Sequence, residues 1–189
     1  MIIIGILGDI GSGKSFVSKQ FGYPVFNADN EVVKIYRNDK TCFAKLKKIL
    51  PKYIEKFPID KTELTNAILK NKKNIKKISK IVHPFVRKKM NSFFLKNKRK
   101  KVVILDVPLL LENNIKKKNM ILVFVDSKKS DISSRLSKRK SFNDEIFKRL
   151  KEIQLPLDYK KRKSQYIIKN HYTKKNVRKS VKNLLKMIL

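Results

Sequence analysis

Apolar positions along the chain fall into two patterns: short unbroken runs, and longer stretches in which they recur every three or four residues. Five runs, at 2–7, 24–27, 102–105, 120–125 and 166–168, each stop beside a polar or acidic residue. Their followers are the glycine-rich segment from Gly8, Ala28-Asp29, Asp106, Asp126 and Lys169-Asn170. Continuous β-branched runs of this length fit strands buried on both faces of a parallel sheet. Between them lie helical patterns. Phe16, Val17 and Phe21 keep near-helical spacing until Gly22-Tyr23-Pro24 stops it. Val177, Val181, Leu184, Leu185 and Ile188 form one stripe of a closing helix over about 175–189. The alternation predicts an α/β fold: a five-stranded parallel sheet flanked by helices. Right-handed crossovers bring the carboxyl ends of such strands to one edge, where ligands bind. The loop after the first strand and Asp29, Asp106 and Asp126 are therefore expected on that edge.

Two stretches break the alternation. Residues 31–89 contain helical patterns, with Ile68, Ile75, Ile78 and Val82 in register, but no strand. This predicts a helical substrate-binding insertion. Residues 137–147 are short, polar and rich in Lys and Arg, as a lid over phosphates would be. The core is then expected at about 1–30, 90–136 and 148–189. A chain of 189 residues suits a single domain, large enough to bury about 70% of its unfolded surface. No internal repeat and no interdomain linker stands out.

The first loop carries the sharpest signal. The chain has five glycines, and four of them (Gly5, Gly8, Gly11, Gly13) lie in "GILGDIGSGKS". Gly8, Gly13, Lys14 and Ser15 fit G-x-x-x-x-G-K-[ST], with a predicted strand before and a helix after, the context that this phosphate-binding motif needs. Backbone amides of Gly11, Ser12, Gly13, Lys14 and Ser15 would surround a β-phosphate. Lys14 would meet the β- and γ-phosphates and the Ser15 hydroxyl would ligate Mg²⁺. The chemistry is phosphoryl transfer from ATP, which depends on charge neutralisation and an in-line nucleophile.

Charge changes this picture less than its size suggests. The formal net charge is +33, a field that attracts polyanions. Yet 40 lysines stand against 8 arginines, beside 15 asparagines and 22 isoleucines, a mixture expected of AT-rich coding. The basic residues are scattered, with clusters at 98–101, 116–118, 160–163 and 174–175, and no RNA-binding aromatic signature or zinc-finger spacing accompanies them. No dedicated nucleic-acid partner is expected. No apolar run approaches the roughly 20 residues of a membrane span, and the first residues lack a basic leader. The single cysteine, Cys42, excludes an internal disulfide and reads as a small apolar filler in a reducing compartment. The expected location is cytoplasmic.

Two carboxylates have double readings from spacing alone. Asp29 could take a proton from an acceptor hydroxyl, or stabilise the start of a helix. Asp106 could hold Mg²⁺ through water, or only terminate a strand.

The segments "GDIGSGKS", "NADNEVV", "ISKIVHPFVRKKM", "ILDVPLLLE" and "QLPLDYKKRKSQYIIKN", in this order, resemble dephospho-coenzyme A kinase over nearly the whole chain. The phosphate loop is shared by very many enzymes; "DVPLLLE" and "HPFV" are more specific. The resemblance implies a P-loop kinase with a coenzyme A-binding helical part and a lid. It also implies transfer of the ATP γ-phosphate to the ribose 3′-hydroxyl of dephospho-coenzyme A, the last step of coenzyme A synthesis. By position it makes Asp29 the general base, and places His83, Pro84, Asp106 and Leu109 on the acceptor side. Arg87, one turn after His83, either meets the acceptor's diphosphate or lies on a solvated helix face. Phe16 joins the ATP-binding set, as do Arg135 and Arg139, four apart, where the lid approaches the transferring phosphate.

Several residues depart from the family's pattern. Asp9 stands where glycine is usual, unwelcome beside triphosphate unless it turns away or meets a lysine. Asn27 replaces the first aspartate of Asp-Ala-Asp, Lys61 a common arginine, Ser164-Gln165 an Ala-Asp pair, and Tyr172 a frequent glycine. Two rivals share the phosphate loop: a kinase for nucleoside monophosphates or another small hydroxyl compound, and a basic RNA-associated ATPase.

Overall fold

A computed structural model describes residues 1–115, 117–138 and 142–189. Five strands form one parallel sheet: β1 (Ile2–Gly8), β2 (Val25–Asn27), β3 (Val102–Asp106), β4 (Met120–Asp126) and β5 (Tyr166–Lys169). Their order is β2-β3-β1-β4-β5, so the first strand is central. Ile4 of β1 pairs with Ile104 of β3 on one side and Ile121 of β4 on the other. The central strands β1 and β3 are continuous apolar runs because both faces are covered, leaving no solvated side to impose alternation, whereas edge strand β5 keeps Ile167 exposed.

The chain divides into two compact units. The first, Met1–Asn27, Asn97–Phe142 and Ile153–Leu189, holds the sheet. Helices α1 (Lys14–Gln20) and α9 (Lys174–Ile188) pack against it, with Val17, Phe21, Val177, Val181 and Leu184 meeting Ile4, Ile6, Ile104 and Val125. Strand alternation turns Gly5 to the opposite face. A Cβ there would stand 2.6 Å from Leu110 Cδ2, so the missing side chain lets the segment after β3 close over the central strand. The stripe predicted for the closing helix is this core, apart from Leu185 and Ile188, which pack at its margin.

The second unit, Ala28–Lys96 and Asn143–Glu152, is helical. It comprises α2 (Ala28–Asn38), α3 (Lys40–Ile49), α4 (Lys61–Lys70), α5 (Lys73–Lys96) and, further along the chain, α7 (Asp144–Glu152). The Asp39 and Asp60 carboxylates cap α3 and α4 by accepting from the N–H groups of Cys42 and Thr62. Ile35, Leu46, Ile54, Leu64 and Val82 form its core. Cys42 is buried among them, and that burial pushes its thiol up to about 11, which suits an inert filler. This unit is wider than the predicted 31–89 stretch, because α5 runs unbroken to Lys96. Residues 144–147, expected in a lid, begin α7, whose Arg149 donates to the Ile68 carbonyl and pairs with Glu145. Among the described residues, no helix is long and apolar enough to cross a membrane.

Two further helices, α6 (Lys129–Ser137) and α8 (Leu157–Lys163), complete the first unit. Lys160 of α8 is 1% exposed, with its ammonium 2.7 Å from Glu112 Oε1 and 3.1 Å from Gln154 Oε1. The same Glu112 oxygen accepts the Leu155 N–H at 3.0 Å. Removing one partner of such a pair leaves a buried charge alone, while removing both can be nearly neutral. Lys160→Met is therefore expected to cost about 3–5 kcal/mol in urea unfolding, and Lys160→Met with Glu112→Leu to recover most of that loss.

Candidate active site

β1 ends at Gly8 and α1 begins at Lys14; the turn between them needs backbone that few residues adopt. Gly11 and Gly13 have φ of +84° and +85°, in the left-handed region where a Cβ is penalised. Gly13 has a second reason: a Cβ there would stand 3.1 Å from Tyr172 Cε1 and closer still to the Asn170 amide.

The carbonyls of this loop are engaged. Gly8 and Asp9 oxygens accept from the Lys14 ammonium at 3.1 and 2.7 Å. The Gly11 oxygen accepts from the Tyr172 hydroxyl at 3.0 Å. The Ser12 oxygen accepts from the Asn170 amide and the Ser127 hydroxyl, both at 2.8 Å. A trans peptide points its N–H opposite its C=O, so tying down the Ser12 carbonyl turns the Gly13 N–H the other way. Turned amides in a glycine loop at a helix start make an anion-binding concavity. Ser12 differs from the expectation: its N–H donates to the Asp9 carbonyl within the loop at 3.2 Å, and its hydroxyl is buried without a hydrogen-bond partner. The Asp9 carboxylate accepts the Ile10 N–H at 2.7 Å, so the loop's own backbone occupies it. Phe16 packs at the margin of the sheet core.

A second group stands at the strand ends. The register of β2 on β3 sets Asn27 opposite Asp106. The Asn27 amide donates to Asp106 Oδ2 at 2.5 Å and to the Ser15 hydroxyl at 3.4 Å. Asp106 is 2% exposed. Had an aspartate stood at 27, two carboxylates would face each other at this distance, and each would disfavour the other's charge. Asparagine turns that repulsion into a bond. Asp126, the third predicted acid, is the carboxyl end of β4 but pairs with Lys161 at 3.0 Å.

The Ser15 hydroxyl and the Asp106 carboxylate are hard oxygen donors joined through one amide, a set that suits Mg²⁺. Among the described residues no cluster of three His, Cys, Asp or Glu side chains could hold a metal.

The remaining predicted residues are placed as follows. Asp29 lies in the first turn of α2, where a carboxylate also favours the helix dipole. His83, Pro84 and Arg87 lie within α5. From local sequence alone Pro84 reads as a turn, but the helix passes through it. Proline forfeits its own N–H bond and crowds the carbonyl four residues earlier, but buried Ile75, Ile78, Val82 and Met90 hold the helix on both sides. His83 and Arg87, four apart, share a helix face. Burial, and then the Arg87 charge, lower the His83 pKa below its usual 6.5. Leu109 is half-buried in the turns after β3. Arg135 is exposed on α6, its guanidinium stacked over the Tyr172 ring at 3.9 Å. Arg139 lies outside the described residues.

The model of one kinase family, described as dephospho-CoA kinase, matches residues 2–176. The chain belongs to the dephospho-CoA kinase family. It is 34% identical over 189 residues to the dephospho-CoA kinase of Wolbachia sp. subsp. Brugia malayi (strain TRS), covering 97% of this chain and 96% of that one. Its fold is similar to the crystal structure of TT1252 from Thermus thermophilus (TM-score 0.77, 24% identity, 100% and 98% of the two chains covered). It is also similar to a dephospho-CoA kinase from Campylobacter jejuni (TM-score 0.64, 21% identity, 98% and 96% covered). The α/β fold expected from the sequence is thus shared with both solved structures. The activity is phosphorylation of dephospho-coenzyme A by ATP, the final step of coenzyme A synthesis, and those two molecules are its substrates.

From the sequence Asn170 stood out only as the end of a strand and motif, Tyr172 only as a departure from glycine, and Ser127 not at all; all three hold the loop's carbonyls. Their one signal was position: each follows closely on the carboxyl end of β4 or β5.

A titration test follows from His83. Its folded pKa is lowered, so the unfolded chain binds more protons near pH 6.5 and stability rises with pH there. This contribution is whole above the unfolded value and is lost as pH falls through the folded one. In His83→Gln the slope of unfolding free energy against pH below about 6.5 is expected to flatten. An unchanged slope in denaturant titrations would remove the lowered pKa.

Proposed function

We propose that this chain performs its family's reaction by in-line transfer, with the phosphate loop as the fixed element. Amides of Gly11, Gly13, Lys14 and Ser15 receive the β-phosphate of ATP. The Lys14 ammonium leaves the Gly8 and Asp9 carbonyls to meet the β- and γ-phosphates. Arg135 and Arg139 contact the same nucleotide, and Phe16 lies beside it. The Ser15 hydroxyl and the Asp106 carboxylate would hold Mg²⁺, which neutralises charge on the phosphates when bound.

Asp29 serves as base. One residue, Ala28, separates it from the Asn27 whose amide bonds Asp106. The Asp29 carboxylate takes the proton of the ribose 3′-hydroxyl, the freed oxygen attacks the γ-phosphorus, and the bond to the β–γ bridging oxygen breaks to release ADP. The helical second unit binds the acceptor. His83, kept neutral by its burial, hydrogen-bonds without adding charge, and Arg87 meets the diphosphate. Pro84 and Leu109 bound the acceptor's apolar parts. The enzyme acts in the cytoplasm and needs no nucleic-acid partner.

The observation that carries this reading is the anchoring of the Ser12 carbonyl by Asn170 and Ser127, which turns the Gly13 N–H the other way at the edge where Asn27 and Asp106 end their strands. Two measurements test it. With Mg·ATP, the expected product is coenzyme A from dephospho-coenzyme A alone, detected by mass beside AMP, CMP, shikimate and RNA; product from another acceptor instead overturns the reading. In Asp29→Asn, kcat is expected to fall by about 10²–10⁴-fold while ATP binding is kept. Undiminished kcat removes Asp29 as base.

A further inference from the structure

Three constraints meet at Tyr172. Its φ is +58°, a left-handed conformation that residues with a Cβ adopt at a cost. Its hydroxyl donates to the Gly11 carbonyl, and its ring edge lies against Gly13. The other side of the story is Arg135, whose guanidinium lies 3.9 Å from the ring centroid. Lysines over aromatic rings elsewhere in the described residues stand at 5.5–5.7 Å. One aromatic side chain thus ties α6 to the phosphate loop by two different interactions. The peptide N–H of Tyr172 also donates to Asn170 Oδ1, whose amide nitrogen holds the Ser12 carbonyl. Strained backbone survives where surrounding contacts over-determine it, and these contacts do so.

A stacked guanidinium keeps its edge N–H groups and one face for an anionic or aromatic ligand. Arg135 is otherwise exposed. A long side chain already held by one face gives up less rotamer freedom on binding than one waving in solvent. We propose that Tyr172 is a positioning residue that fixes Arg135 relative to the phosphate loop, so that the guanidinium meets ATP already oriented. This rests on the assignment of Arg135 to ATP made above.

The test separates nucleotide positioning from general packing. ATP is varied at saturating dephospho-coenzyme A, then the reverse, for Y172G, Y172F, R135A and Y172G/R135A. Y172G should raise the KM for ATP by roughly 3- to 30-fold and leave that for dephospho-coenzyme A within about twofold. It should do so without lowering the melting temperature, because glycine relieves the positive φ. Y172F keeps the stack and should recover most of the loss. The double variant should exceed R135A by no more than the loss that Y172F shows, since without the guanidinium Tyr172 keeps only its hydroxyl contact with Gly11.

A normal KM for ATP in Y172G, equal rises in both KM values, or losses that multiply in the double variant overturns the proposal. If R135A is impaired and Y172G is not, the proposal fails alone. If R135A binds ATP normally, the Arg135 assignment fails and takes the proposal with it. Should Y172G not fold, Y172L carries the comparison: bulk without a π-face should behave as the loss, and phenylalanine as the rescue.

Discussion

A peptide group carries its donor and acceptor on opposite sides, so a loop that is to hold an anion must first dispose of its carbonyls. Everything at the strand ends depends on how this chain does that. The Gly8 and Asp9 oxygens go to a lysine of the same loop. The Gly11 and Ser12 oxygens go to Tyr172, Asn170 and Ser127, which are 161, 158 and 115 residues away from them. Those partners arrive because β4 and β5 lie in order beside β1 and finish at the same edge. The register of the sheet is therefore the means by which the loop is polarised. Asn170, fully buried, is the clearest case: its N–H donates to the Asp126 carbonyl and its side chain spans from Ser12 to Tyr172.

On the other side of β1 the same logic acts on side chains. Pairing of β2 with β3 sets Asn27 against Asp106, and the amide connects that buried carboxylate to the Ser15 hydroxyl. An amide in place of a carboxylate removes one negative charge beside Asp106 and adds a donor that holds that acid in place. Asp9 is handled similarly, since the Ile10 N–H occupies its carboxylate. The overall charge of +33 belongs to a different scale: it raises the local concentration of anionic substrates but fixes no geometry.

The strands were legible because burial on both faces writes an unbroken apolar run, and all five appear within a residue or two of their expected bounds. The turn between β1 and α1 was legible because glycines cluster there in so glycine-poor a chain, and Gly11 and Gly13 do take positive φ. What could not be read was pairing at a distance. Nothing in "DSKKS" or "KNHYT" says which carbonyl a side chain will reach, and a lysine that ends up buried, Lys160, looks like any other among 40. Pro84 shows the same limit: its lost N–H bond and ring crowding are local costs, whereas α5 is held by packing along 24 residues. Gln165, noted only as a departure, lengthens the sheet: its N–H donates to the Leu122 carbonyl and its side-chain oxygen accepts from the Leu122 N–H.

The imbalance between lysine and arginine becomes informative once contacts are known. An ammonium is a point charge, and the lysines paired with Glu31, Asp144, Glu152 and Asp126 sit at exposed or half-exposed positions where charge alone suffices. A guanidinium is planar and donates in several fixed directions. Arg149 uses two of those directions at once, to the Ile68 carbonyl and to Glu145. Arg178 reaches across from α9 to Gln20 at the end of α1, and Arg135 uses its flat face on Tyr172. In a chain so rich in lysine, Arg149 and Arg135 stand at contacts that need a fork or a plane. Lys160 marks the limit of that rule, because its ammonium meets two oxygens in a space that admits no water-exposed alternative. The direction of a contact, more than the sign of a charge, separates the basic residues that shape this enzyme from those that cover it.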